Sequence, residues 1–175
     1  MSEKIEPVRP VIGENVFIAS TAYVGGEVQI GDECTVMHHV TIRGDVSAIS
    51  IGRRVNVQDG TVIHTLTGVP LDIGDEVVIG HRAVVHCTKV GSRVLIGIGA
   101  IVLDNCEIGA GSIVAAGAVV PPGTIVPPGK LVMGIPARVL RDVTEDERGY
   151  VAYALQNYAR LNHDHTAGRY PNWTD

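Results

Sequence analysis

The stretch VGSRVLIGIGAIVLDNCEIGAGSIVAAGAVVPPGTIVPPGKLV, residues 90–132, carries an aliphatic residue at every sixth position: Val90, Ile96, Val102, Ile108, Val114, Val120, Val126 and Val132. An amphipathic helix repeats its apolar residues near 3.6 and a half-buried strand near two, so neither produces this spacing. Six-residue repeats mark a parallel β-helix, in which each repeat supplies one short strand and a turn. Three strands close one triangular coil, and the aliphatic residue points inward.

Working outward, the same period runs through Ile12, Ile18, Val24, Ile30, Val36 and Ile42, then Ile51, Val57 and Ile63, then Ile73, Ile79 and Val85. Twenty repeats in all predict an all-β fold, a parallel β-helix of about seven triangular coils over 10–141. Small residues at the fifth position, among them Cys34, Thr61, Ala83, Ala100, Cys106, Ser112 and Ala118, fit a narrow interior. Cys34 and Cys106 read as core filler, and Cys87 as an outward corner residue. Three extra residues between Ile42 and Ile51 and four between Ile63 and Ile73 mark loops at coil corners. Rigid scaffolds tend to carry function on such loops.

After Arg141 the period stops, and Thr144 with Glu147 forms a capping-box pattern. It predicts a helix over 144–161 carrying Val151, Leu155, Tyr158 and Leu161, packed on the outside of the β-helix. The segment 162–175 has no periodicity and reads as a tail, so the whole chain, 1–175, is expected to be a single domain.

Composition narrows the function classes. Hydrophobic residues make up 45% but aromatic residues only 4%, so Val, Ile and Ala must fill the core. A net charge of -5 argues against a nucleic-acid or anionic-membrane surface. No apolar run is long enough to span a membrane, and Met1–Pro10 lacks the apolar core of a secretory leader. Three cysteines without a CxxC pair indicate neither a disulfide scaffold nor a cysteine zinc site, and the reading is cytoplasmic.

The repeat also places the histidines. His64 follows Ile63 and His86 follows Val85, so both point outward, and three repeats, one coil, separate them. Adjacent strands lie ~4.8 Å apart, close enough for two imidazoles to share one ion. One coil below His64 the same position is Arg43, for which Asp45 or Asp59 could supply a carboxylate. His81 occupies the third position of the preceding repeat, on a different face and above Asp59. A neighbouring subunit would bring that face against the first, and a trimer with a site at each boundary is the simplest closed solution. His38, His39, His163 and His165 read as ordinary surface histidines. Asn56 and Gln58 fit either a turn-stabilising ladder or a site.

Arg43-Gly44-Asp45, Asn56-Val57-Gln58-Asp59, His64, and Ile79-Gly80-His81 with His86 resemble, in order and spacing, the defining pattern of the gamma-class carbonic anhydrases among hexapeptide-repeat proteins. The resemblance covers the chain from about Pro10 to the C-terminal helix. It implies a left-handed coil and a homotrimer in which His64 and His86 ligate from one subunit and His81 from the next. It further implies that Arg43 and Asp45 form an intersubunit ion pair. Gln58 would orient the substrate or the reactive hydroxide, with Asp59 beside His81 and Tyr158 near the metal. Three imidazoles on Zn2+, or on Fe2+ or Co2+, leave a position for water, whose pKa falls to about 7. The implied reaction is reversible hydration of CO2 to bicarbonate.

The sequence departs from that pattern at the proton-shuttling glutamates. Val46 stands where one follows the Arg-Gly-Asp run, and Thr65–Pro70, where the other is expected, carries no charge. Three other readings stay open. The first is a hexapeptide acyltransferase, since Met133–Arg138 resembles the segment that meets coenzyme A in such enzymes. The second is a metal-dependent thioesterase acting on a CoA ester, and the third a non-catalytic trimeric metal-binding protein.

Overall fold

The computed structural model describes residues 6–171 and 173. The parts of the expected domain and tail at 1–5, 172, 174 and 175 lie outside the described residues.

Strands mostly of two or three residues stack in parallel into three walls. The first wall carries Val62–His64, Val84–Val85, Ile101–Val102 and Val119–Val120. The second stacks seven parallel strands from Phe17–Ile18 to Lys130–Gly134. The third carries Val11–Ile12, Leu71–Ile73, Lys89–Val90, Glu107–Ile108 and Ile125–Val126. Two longer strands, Tyr23–Ile30 and Thr41–Ile51, run from the first wall round its corner into the third.

The six-residue period is the core. Ile42, Ile63, Val85, Val102 and Val120 stack inside the first wall, all fully buried, and each contributes about 1.5–3 kcal/mol by leaving water. Where the long strands turn the corner, a side chain on Gly26 would meet the Gly44 carbonyl at 2.3 Å and one on Gly44 the Glu27 carbonyl at 2.6 Å. Only glycines let the coils approach there, and Gly44 sits between Arg43 and Asp45.

Cys87 corrects the sequence reading. It is buried and faces the core, because the turn after His86 folds inward toward Lys89. Burial pushes its thiol up to about 12 and that of Cys34 up to about 11, so neither is a reactive thiolate at neutral pH.

Two further differences concern the C-terminal part. Ala137–Asp142 is not another coil but folds back antiparallel on Lys130–Gly134. The helix spans Glu145–Thr166 and so runs past the expected end at Leu161. Polar contacts dock its last turns, which apolar spacing cannot reveal: Asn162 donates to the Asn15 carbonyl at 2.9 Å, and Arg160 and Arg169 both hold Asp164. Nearer its start, Val151 and Leu155 pack with Ile113, Leu131 and Val143 on the second wall. No helix among the described residues is long and apolar enough to cross a membrane.

Thr144 caps the helix, with both bonds of the capping box formed. Arg141 grips Glu147 through two bonds of 2.8 Å, and this pair foremost, with Thr144, holds the Glu147 carboxyl down at about 2. A carboxylate whose folded-state pKa lies below its unfolded value of about 4.3 adds stability above that pH and loses it on acidification. Exposure keeps the effect small. Between about pH 4.3 and about 2, hydrogen exchange of the first-turn helix amides should therefore accelerate in the wild type. In Glu147→Gln it should be fast already at neutral pH. Matching pH profiles in the two proteins would show that this pair does not anchor the helix.

Candidate metal centre

The strand register stacks Arg43 beside His64, and His64 lies one coil below His86. The two imidazoles face each other, with His64 Nδ1 3.2 Å from His86 Nε2 and the ring centroids 5.2 Å apart. Each outer nitrogen rests on a carboxylate: His64 Nε2 on Asp45 Oδ1 at 3.0 Å, and His86 Nδ1 on Asp104 Oδ1 at 2.5 Å. Arg43 holds the other oxygen of Asp45 at 2.5 Å. That bond first, and His64 second, keep the Asp45 carboxyl below its usual range.

This arrangement fits a divalent metal. Carboxylates on the outer nitrogens leave the two inner nitrogens, which face each other, as the atoms that would ligate, the usual backing for ligating histidines.

A second group assembles elsewhere. His81 lies in the turn joining the second wall to the first, half-exposed, with Nδ1 3.0 Å from Asp59 Oδ2. Its backbone N–H donates to Gln58 Oε1 at 3.2 Å, and Gln58 Nε2 donates to the Tyr158 hydroxyl. Burial foremost pushes the Tyr158 phenol up. Asn56, two residues before Gln58, is buried with its Oδ1 unpartnered among the described residues.

Of the residues singled out by sequence, the fold therefore brings together Arg43, Asp45, His64 and His86, and separately Gln58, Asp59, His81 and Tyr158. The two groups sit at opposite edges of the first wall, since His81 precedes the strand Val84–Val85 and His86 follows it. Among the described residues no three His, Cys, Asp or Glu side chains form a complete ligand set. The Arg43–Asp45 pair, expected across a subunit boundary, forms here within one chain, since the two residues stand two apart on the strand Thr41–Ile51 and so share a face.

Asp104 was not singled out by sequence. The coil above His86 is offset by 17 residues, which sets Val102 beside Val85 and puts Asp104 within reach of His86. Extending the column one coil upward gives Leu103 rather than Asp104, so position within the repeat does not reveal this contact. His39 shares the corner of His81, since Gly60 N–H bonds the His38 carbonyl and Arg82 N–H the Asp59 carbonyl. It therefore stands two coils below His81. Val46 and the uncharged loop meet each other, as Gly68 N–H donates to the Val46 carbonyl at 3.2 Å and the Thr65 hydroxyl to the Ser47 carbonyl at 3.3 Å.

Comparison with known proteins adds three relatives and a family. The family described as Dynactin subunit 5 matches residues 2–158. A carbonic anhydrase of Geobacillus kaustophilus is 46% identical over 138 residues, 79% of this chain and 76% of that one. The mitochondrial gamma carbonic anhydrase 2 of Arabidopsis thaliana is 36% identical over 164 residues, 90% of this chain, which spans only 59% of that relative. The crystal structure of a hexapeptide transferase family protein from Anaplasma phagocytophilum superposes with a TM-score of 0.84 at 38% identity, covering 89% of this chain and 92% of that one.

Proposed function

Matched by the Dynactin subunit 5 family and by carbonic anhydrases alike, the chain belongs to the gamma-class carbonic anhydrase-like family of hexapeptide-repeat, left-handed β-helix proteins, and from that premise we propose that it is a metal-dependent carbonic anhydrase acting as a homotrimer. The observation that carries the reading is the pair of facing imidazoles, each backed by its own carboxylate. His64 and His86 hold two positions on the metal, and His81 of an adjacent chain takes the third. Zinc suits such a set, as do Fe2+ and Co2+.

A bound dication supplies a Lewis acid that brings the pKa of water to about 7. The chain's own groups then act around the reacting carbon. The Gln58 amide is held at both ends, by the His81 N–H and by the Tyr158 oxygen, so it presents a fixed polar edge. Because Tyr158 accepts from Gln58 and burial keeps its phenol protonated, its own O–H remains free to donate to a developing bicarbonate oxygen. Asp45 and Asp104 orient the ligating rings, and Arg43 locks Asp45 in place.

The hexapeptide transferase neighbour favours a second reading, acyl transfer. Met133–Arg138, which would meet coenzyme A, forms the tip of the terminal hairpin with Ile135 exposed. Metal analysis coupled to CO2 hydration on anaerobically prepared protein separates the two. Hydratase should follow metal content and vanish on chelation, whereas equal rates with and without metal would overturn the proposal. Asp104→Asn should weaken metal affinity by about 10- to 100-fold, while unchanged affinity would show that His86 is not a ligand oriented through Asp104.

A further inference from the structure

On the corner between the third and second walls, the third turn residue of each coil stacks directly on that of the coil below. Above Asn15 at the base (φ 53°), these residues are Glu33, Arg54, Glu76, Arg93, Gly111 and Gly129, all left-handed with φ between 55° and 70°. Backbone bonds such as Arg54 N–H to Asp32 O, Arg93 N–H to Asp75 O and Gly111 N–H to Ser92 O hold the stack. Charge alternates acid, base, acid, base, and Arg54 grips Glu76. Then the ladder stops. The rung above Arg93 should be acidic but is Gly111, and a side chain there or on Gly129 would meet nothing within 4 Å.

The space left by those two glycines is a groove of about 700 Å³ between this corner and the C-terminal helix, within the range of small-molecule sites. Its wall toward the helix is apolar, built of Ile113, Val143, Val151, Leu155 and Ala159. Its charged rim holds Arg54, Arg93 and Arg148 against Glu76 alone. Arg54 and Arg148 are occupied by Glu76 and Glu145, but among the described residues the Arg93 guanidinium has no carboxylate partner. A local excess of positive charge on a chain of net charge -5 is complementary to an anion. The corner does not adjoin the first wall, so the groove is separate from the candidate metal centre.

We propose that this groove binds a medium-chain carboxylate. Its head takes the acidic rung that Gly111 leaves out, against Arg93, and its alkyl chain lies along Ile113, Val151 and Leu155. Two coils separate Arg93 from Gly129, on the order of 10 Å, a length that suits a chain of roughly ten carbons. The head makes charge-assisted bonds, and each buried methylene adds roughly fourfold in affinity.

Calorimetric titration of the full chain with decanoate, butyrate and decyltrimethylammonium, all below micelle-forming concentrations, tests the idea. Decanoate should bind at one site per chain, and the other two at least tenfold more weakly. Arg93→Gln should cost about tenfold or more. Gly111→Asp supplies the missing acid in a conformation that aspartate tolerates, and it should abolish binding. Both variants leave the metal histidines untouched, so metal content reports that the fold survives. If Gly111→Asp fails to fold, Arg93→Gln, altered only at an exposed side chain, still decides. The proposal is overturned if wild-type protein does not bind decanoate, if decyltrimethylammonium binds as well, or if Arg93→Gln leaves the affinity unchanged.

Discussion

Replacing His64, His81 or His86 by alanine should each remove stoichiometric metal from the protein while leaving the β-helix folded. The three side chains lie on the outer surface, and stacked coils draw their stability from neighbouring coils rather than from the wall's exterior. His81 makes the sharper test because it sits at the opposite edge of the first wall from the His64 and His86 pair. If a site needs His64 of one chain and His81 of the next, chains carrying His81→Ala can be mixed with chains carrying His64→Ala. Each mixed trimer then contains one intact boundary. Neither variant alone binds metal, but random 1:1 mixing should restore about one quarter of the wild-type content, the fraction that closed three-fold symmetry dictates. Elemental analysis after co-refolding reads this directly. Zero recovery in trimers shown to be mixed would place all ligands within one chain, and full metal in any single variant would remove that histidine from the set.

What the sequence made legible follows from its periods. Side-chain direction in a β-helix depends only on position within the repeat, so the spacing from Ile63 to Val85 already stacked His64 on His86 and set Arg43 beneath them. Contacts that depend on how the chain turns a corner were not legible. Cys87 turns inward where one repeat is a residue short, and Asp104 reaches down to His86 from the coil above. The last turns of the helix escaped for another reason. Asn162 and Asp164 are buried by polar bonds, and a search for apolar spacing passes over them. The groove beside Arg93 needed both the charge ladder and the position of the helix, and only the ladder is written in the sequence.

Hydratase activity in the wild type should be slow in weak buffer and rise steeply with added imidazole. Each CO2 hydrated releases a proton that must reach solvent, and proton transfer by a positioned group accounts for roughly 10²–10⁴-fold of rate in such reactions. The carboxylates nearest the imidazole pair are already committed: Asp45 is bonded to both Arg43 and His64, and Asp104 is bonded to His86. An Asp45 carboxyl held below its usual range is also a weak proton acceptor near neutral pH. His39 stands at the other corner, two coils below His81. Beside the His64 half of the site are Val46 and Leu66, 37% and 40% exposed, with no carboxylate in the loop 65–70. Val46→Glu would set a carboxylate at an exposed position next to Asp45 without disturbing the core. Stopped-flow hydration at low buffer should therefore rise in Val46→Glu, by roughly 100-fold if proton transfer limits the wild type, and the two proteins should converge at high imidazole. Turnover that is fast and indifferent to buffer in the wild type would mean that another group of this chain carries the proton.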